Sequence, residues 1–165
     1  MALSCGQTAP DFALTSTNGK QFILSEVLTR GPAVLFFFKI SCPVCQFTAP
    51  YFERLWQIHK TEPCTVLGIS QDSKADTEKF IKQFGLTFPV ALDDPQRYIA
   101  SNNYKLTNVP TVYLVNRSAE IEVSSVGWLR AEVEEINLKL SMTNPAQQQF
   151  SFFKPGEEVA EFKAG

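Results

Sequence analysis

Ala33-Val34-Leu35-Phe36-Phe37-Phe38, then Lys39-Ile40-Ser41, then Cys42-Pro43-Val44-Cys45 is the stretch that decides the fold. An unbroken apolar run this short, punctuated upstream by Gly31-Pro32, reads as a strand buried on both faces. Downstream, Phe47, Tyr51, Leu55 and Ile58 recur at three- and four-residue spacings, the mark of an amphipathic helix. Cys42 therefore stands where a buried strand hands over to a helix. Unpaired backbone N–H groups and the positive end of the helix dipole favour thiolate over thiol there, and Cys45 lies one turn in, close enough for a disulfide. Such a pair is a redox switch. Half of a zinc site is the other reading of Cys-x-x-Cys, but zinc usually needs four ligands, and Cys5, Cys64 and His59 are not spaced as a second pair.

Upstream, Pro10 to Leu14, a turn at Thr17-Asn18-Gly19, and Lys20 to Ile23 predict a β-hairpin. Ser25 is placed to cap a short helical turn ending at Gly31-Pro32. Pro50 predicts a kink in the helix opened by Cys42, because it removes a backbone hydrogen bond and clashes with the preceding turn. Thr65 to Ile69 reads as a second buried strand, and Ser73 as the cap of a helix that buries Phe80, Ile81 and Phe84 and stops at Gly85. A short extended piece, Phe88 to Leu92, precedes a helix from Asp94-Pro95 to about Ala100, broken at Asn102-Asn103. Thr111 to Val115, a turn at Asn116-Arg117-Ser118, a strand from Ile121 to Val126 and a helix from Ala131 to Leu140 complete the pattern. Strands linked by helices and closed by a hairpin and a last helix imply an α/β sandwich, a mixed sheet with helices on both faces. That domain spans residues 1–140. Residues 141–165 read as an extended tail, packed on the domain or partly flexible, with Phe150, Phe152 and Phe153 covering an apolar groove.

A length of 165 residues suits one domain with a proper core, and 44% hydrophobic content suits a globular chain. With a net charge of −2 there is no basic surface for nucleic acid. The apolar run at 33–38 is too short to cross a bilayer, and the first residues lack the basic and apolar regions of a secretory signal. No membrane partner is expected, and the expected location is cytoplasmic, or periplasmic if an export leader has been trimmed away. In a reducing cytoplasm a cysteine pair is catalytic or metal-binding more often than structural. With no dinucleotide or phosphate-loop fingerprint, no organic cofactor is expected.

Strand, Cys-x-x-Cys, helix, strand, helix, then Val109-Pro110-Thr111 running into a hairpin and a last helix resembles the thioredoxin superfamily over roughly residues 5–140. Ala9-Pro10-Asp11-Phe12-Ala13-Leu14, with Gly19 and Leu24-Ser25, resembles the branch holding the peroxiredoxins (the AhpC/TSA group) and the TlpA/ResA-type thiol-disulfide oxidoreductases. The resemblance implies a thioredoxin-like three-layer sandwich with an N-terminal hairpin. It also implies that Pro110 is the cis-proline facing the dithiol, which would lay the backbone of Val109 beside the sulfurs to pair with an extended substrate segment.

Within that branch, peroxiredoxins carry a Thr or Ser three residues before the peroxidatic cysteine and a remote Arg; this chain has Lys39 and Val109-Pro110 there. Thioredoxins carry a Trp before the first Cys and a buried Asp six residues before it, where this chain has Ser41 and Phe36; TlpA/ResA-type proteins often carry a Glu where it has Thr48. No carboxylate is evident to take the proton of Cys45. Sco-type copper-handling proteins space their cysteines three apart and add a later histidine, whereas His59 here reads as a surface residue at the end of the active-site helix.

The expectation is therefore a thiol-disulfide oxidoreductase, with a thiol-dependent peroxidase as the alternative (Cys42 peroxidatic, Cys45 resolving) and metal handling ranked last. Cys42 and Cys45 are the catalytic residues, Pro43, Val44, Val109 and Pro110 the substrate-binding ones, and Lys39 a candidate for tuning the first thiol, with no metal ligands. Cys64 reads as a small buried apolar residue and Cys5 as an incidental thiol. The implied partners are a protein or small-molecule disulfide and a dithiol or disulfide that resets the pair, with the chain a monomer or weak homodimer.

Overall fold

A computed structural model describes residues 1–143 and 151–165. The expectations for Asn144-Pro145, the glutamines at 147–149 and Phe150 fall outside the described residues. Strand β1 (Ala13–Thr15) and strand β2 (Gln21–Ile23) form the hairpin, paired antiparallel with Leu14 opposite Phe22. Helix α1 (Leu24–Arg30) follows directly. Ser25 lies inside this helix and does not cap it. The carboxylate of Asp11 does the work from across the hairpin, accepting the N–H groups of Phe12 and Ser25, each at 2.9 Å. A cap supplied from fourteen residues away beats the local hydroxyl because an ionised acceptor makes the stronger bond.

Strand β3 (Ala33–Phe38) is buried at all six positions and leads into helix α2 (Pro43–His59), which continues through Pro50. Strand β4 (Thr65–Ser70) pairs parallel with β3. Helix α3 (Lys74–Phe84) opens on Ser73, whose side chain accepts the N–H of Asp76, and closes on Gly85 in the left-handed conformation, as its sequence predicts. After strand β5 (Val90–Leu92), helix α4 spans Ile99–Asn103 rather than starting at Asp94-Pro95. The difference has a cause in Asp93, whose buried carboxylate accepts from the N–H groups of Ala100 and Ser101 at 3.1 and 2.8 Å and so fixes the start of the helix further along. Strands β6 (Thr111–Val115) and β7 (Ile121–Val126), the short β8 (Trp128–Leu129) and helix α5 (Arg130–Met142) follow, and β9 (Phe162–Lys163) pairs antiparallel with β8.

The central sheet runs β5-β4-β3-β6-β7, with β3, β4 and β5 parallel and β6 and β7 antiparallel to their neighbours. Alternation along β3 divides the core in two. Val34, Phe36 and Phe38 face Ala49, Phe52 and Leu55 of α2, Phe80 of α3, Val133 and Ile136 of α5 and Phe152 and Phe153 of the tail. Ala33, Leu35 and Phe37 face α1, α4 and the hairpin through Leu24, Leu28, Ala100, Tyr104, Phe12 and Phe22. Helices thus cover both faces of a mixed sheet, the three-layer arrangement expected. Phe52, Phe36, Phe38 and Phe80 stack in series with centroids about 5 Å apart, joining α2 to α3 across the sheet surface.

The entry to β3 is sterically closed: a Cβ on Gly31 would sit 1.4 Å from the carbonyl oxygen of Pro63. Gly31→Ala should therefore cost about 3 kcal/mol or more of stability in urea unfolding. A loss below about 1 kcal/mol would mean that the Pro63 loop moves aside freely.

Candidate active site

The parallel strands β3 and β4 end at one edge of the sheet, where ligand chemistry collects in open α/β sheets. Cys42 is the N-cap of α2, in extended conformation, and Pro43 fills the first helical turn, where a missing N–H costs nothing. The Cys42 sulfur accepts the N–H of Cys45 at 3.2 Å, so one of the orphan donors of the helix end is satisfied by the first thiol of the pair. Cys42 is half-buried, whereas Cys45 is fully buried and packed in the core beside Ala49 and Phe52. All four cysteines are free thiols.

Burial pushes the Cys45 thiol well above its ordinary range, and the hydrogen bond to Cys42 adds to this; a backbone hydrogen bond with Lys39 works against it. The two sulfurs, one turn apart, are thus in opposite environments. Lys39 reaches the pair through its backbone: its carbonyl accepts the N–H of Cys42 at 3.2 Å.

The Val109-Pro110 bond is cis, and the carbonyl of Val109 accepts from the Cys42 sulfur at 3.3 Å. The structure therefore brings together Cys42, Cys45, Val109 and Pro110. Pro43 is exposed beside Cys42 and Val44 is half-buried, its carbonyl taken by the Thr48 hydroxyl at 2.7 Å. Cys64 is buried and pushed up to about 12 by burial and then by the charge of Glu62, while Cys5 is exposed with its sulfur 3.4 Å from the carbonyl of Glu122. Neither belongs to the site.

His59 corrects the sequence reading. It is wholly buried, with Nδ1 2.9 Å from Glu62 and Nε2 2.8 Å from Asn137 of α5. The local sequence placed it on a helix end open to water, but α5 lies across that end and supplies a polar partner from 78 residues away. It joins α2 to α5 and lies apart from the dithiol.

Two carboxylates went unread in the sequence. Asp72 accepts the N–H of Ile40 at 2.8 Å, and its charge is felt at Cys45, raising that thiol further. Its signal was positional: β4 pairs with β3 up to Phe38 opposite Ser70, so a residue two beyond Ser70 falls at the same sheet edge as the cysteines. Glu132, in the first turn of α5, is raised by burial against a counteracting bond with Ser125, and one of its oxygens is buried without a hydrogen-bond partner among the described residues. It shares a small cavity with Thr48, the residue one turn beyond Cys45.

Comparison with known proteins agrees with this geometry. The family model for the AhpC/TSA family matches residues 5–124, from before the hairpin into β7. The thiol-disulfide oxidoreductase ResA of Geobacillus kaustophilus is 32% identical over 139 residues, covering 84% of this chain and 78% of the relative. Among solved structures, the thioredoxin domain of a thiol-disulfide oxidoreductase from Bacteroides vulgatus superposes with a TM-score of 0.74 at 18% identity, covering 84% of this chain and 98% of that one. Peroxidoxin BcpB of Mycobacterium tuberculosis gives 0.62 at 22% identity, over 72% of this chain and 82% of that one. At those identities both structures speak to the fold, which exchange enzymes and peroxidases share. A match that takes in the hairpin, the buried strand, the cysteine pair and the cis-proline together places this chain in the AhpC/TSA family.

Proposed function

We propose that this thiol-disulfide oxidoreductase works through Cys42 as nucleophile and Cys45 as the thiol that resolves the intermediate. The observation that carries the reading is the unequal placement of the two sulfurs: Cys42 half-buried at the helix start against Val109, Cys45 wholly buried one turn in. The Cys42 thiolate attacks one sulfur of a substrate disulfide, forming a mixed disulfide and releasing the other half as a thiolate. Cys45 then loses its proton and attacks the Cys42 sulfur. The second half of the substrate leaves as a thiolate, and a Cys42–Cys45 disulfide remains. Two electrons pass from protein to substrate, and a dithiol partner returns them.

The extended substrate segment lies along Val109, and Pro43 and Val44 flank the attacking sulfur. Asp72 is the carboxylate whose charge reaches Cys45, and it helps to hold that thiol protonated until the mixed disulfide has formed. The same chemistry serves in the cytoplasm, where the resting pair is a dithiol, or in a periplasm with a dedicated reductant.

Cys42→Ser should abolish disulfide exchange, whereas Cys45→Ser should retain the first attack and accumulate a mixed disulfide, read by intact-protein mass spectrometry. Equal trapping by the two variants would overturn the assignment of roles.

Native alkylation gives a separate check. At neutral pH iodoacetamide should label Cys5 and Cys42 and spare Cys45 and Cys64, whose buried thiols hold their protons far above that pH. Labelling of Cys45 should begin only as the solution becomes strongly alkaline or the chain unfolds. Ready modification of Cys45 at neutral pH would remove the physical basis for the order of attack.

The peroxidase alternative is tested by competition. The only N–H that hydrogen-bonds the Cys42 sulfur among the described residues is that of Cys45, so a peroxide O–O bond would meet no array of donors to polarise it. Stopped-flow rates of the reduced protein should be far higher with a model disulfide than with hydrogen peroxide at equal concentration. A fast peroxide reaction lost in Cys42→Ser would make Cys45 the partner of a sulfenic acid instead.

A further inference from the structure

The segment 161–165 ends against the same backbone group that touches the nucleophile. Strand β9 pairs with β8 so that Lys163 faces Trp128 and Phe162 faces Leu129, and the N–H of Arg130 donates to the carbonyl of Glu161 at 3.0 Å. Beyond the paired residues the chain continues over Gly127 to Val109. A Cβ on Gly127 would lie 2.4 Å from the Lys163 carbonyl oxygen, and one on Gly165 would lie 2.8 Å from that of Val109. Side chains add two contacts: Asn108 Nδ2 donates to the Gly165 carbonyl at 3.2 Å, and the Lys163 ammonium sits 4.8 Å from the ring centre of Phe47, two residues past Cys45. The Val109 carbonyl is the one that accepts from the Cys42 sulfur.

This is an extended backbone laid along a short strand edge and finishing at the cis-proline loop, the geometry by which an added peptide strand docks. We propose that residues 161–165 are a built-in competitor for extended polypeptide at the Val109–Gly127 edge. The inference rests on the exchange reading above and deepens it with a substrate preference. A small disulfide needs only the half-buried Cys42 sulfur and reacts with the segment in place. A disulfide in an extended polypeptide must displace it first. Displacement is accessible because Glu161, Phe162, Ala164 and Gly165 are all exposed, leaving only Lys163 half-buried, and so few buried contacts hold this end.

Two variants test the proposal. Deleting residues 161–165 keeps Ala160, whose carbonyl accepts the Trp128 indole N–H, so the tail's aromatic anchor is left in place. Gly165→Val in the full chain forces the segment off Val109 by steric overlap alone and guards against a deletion that fails to fold. Each is assayed with hydroxyethyl disulfide and with a linear peptide carrying a mixed disulfide on a central cysteine. In both variants the peptide reaction should accelerate about fivefold or more, the reciprocal of the fraction of molecules with the edge open, while the small disulfide changes less than about twofold. Peptide rates that stay level or fall in Gly165→Val overturn the competitor role. If the full chain and both variants all fail to reduce hydroxyethyl disulfide, the exchange reading itself falls, and that result is distinct from unchanged peptide rates in an active enzyme.

Discussion

Strand β3 has no free side. It is hydrogen-bonded to β4 on one edge and β6 on the other, and its two faces are buried under separate sets of helices. At roughly 1.5–3 kcal/mol for each large side chain fully buried, the five residues Val34 to Phe38 make this the strand that the rest of the molecule cannot move without unfolding. Its C-terminal end is therefore a fixed point, and Cys42 lies four residues beyond it. In the proposed exchange, a nucleophile that must meet a substrate sulfur in line gains most from such a mounting. The second half of the site is fixed through the same strand: β6 pairs with β3 from Thr111 to Val115, so Val109-Pro110 enters the sheet directly opposite the turn that carries the cysteines.

That rigidity sorts the two thiols. The helix begins at the sheet edge and runs down its face, so its cap residue meets solvent and the residue one turn in meets the core. Identical side chains three residues apart differ in burial simply because one caps α2 and the other lies a turn inside it. The protein has no carboxylate on that helix turn, where Thr48 spends its hydroxyl on the Val44 carbonyl. Charge comes instead from Asp72, two residues past the end of the neighbouring parallel strand and positioned by the Ile40 N–H.

Much of this was legible in the sequence because it is local or strictly periodic. The apolar run of β3, the Ser73 cap with its Gly85 stop, the hairpin, and the strand-to-helix placement of Cys42 depend on neighbours within a few residues. What was misread depends on partners far along the chain. Asp11 replaces Ser25 as a cap, Asp93 delays α4, and Asn137 turns His59 from a surface residue into a buried connector. The resemblance to a known family extended the reading to the Val109-Pro110 loop, which neither periodicity nor composition could have set beside Cys42. The path of the tail had no such support, since its course is decided by aromatic rings on two distant elements, Tyr51 of α2 and Trp128 of β8.

Those rings also explain how a weakly held segment can matter. Phe153 is buried against Trp128, Tyr51 and the Arg130 guanidinium, and Phe152 packs on it at right angles. Arg54 grips Glu157 with both nitrogens, at 2.7 and 3.0 Å, in a partly buried bidentate pair whose guanidinium also lies over the rings of Tyr51 and Phe152. Anchoring is thus strong at 152–153 and fades toward 165. A short stretch of chain anchored at 152–153 holds residues 161–165 near the site at a high effective concentration. Even a few hydrogen bonds and one cation–π contact then suffice to keep Val109 covered most of the time. Affinity in the segment itself is unnecessary, because its proximity is supplied by aromatic packing on α2 and β8 and by the Arg130 guanidinium of α5.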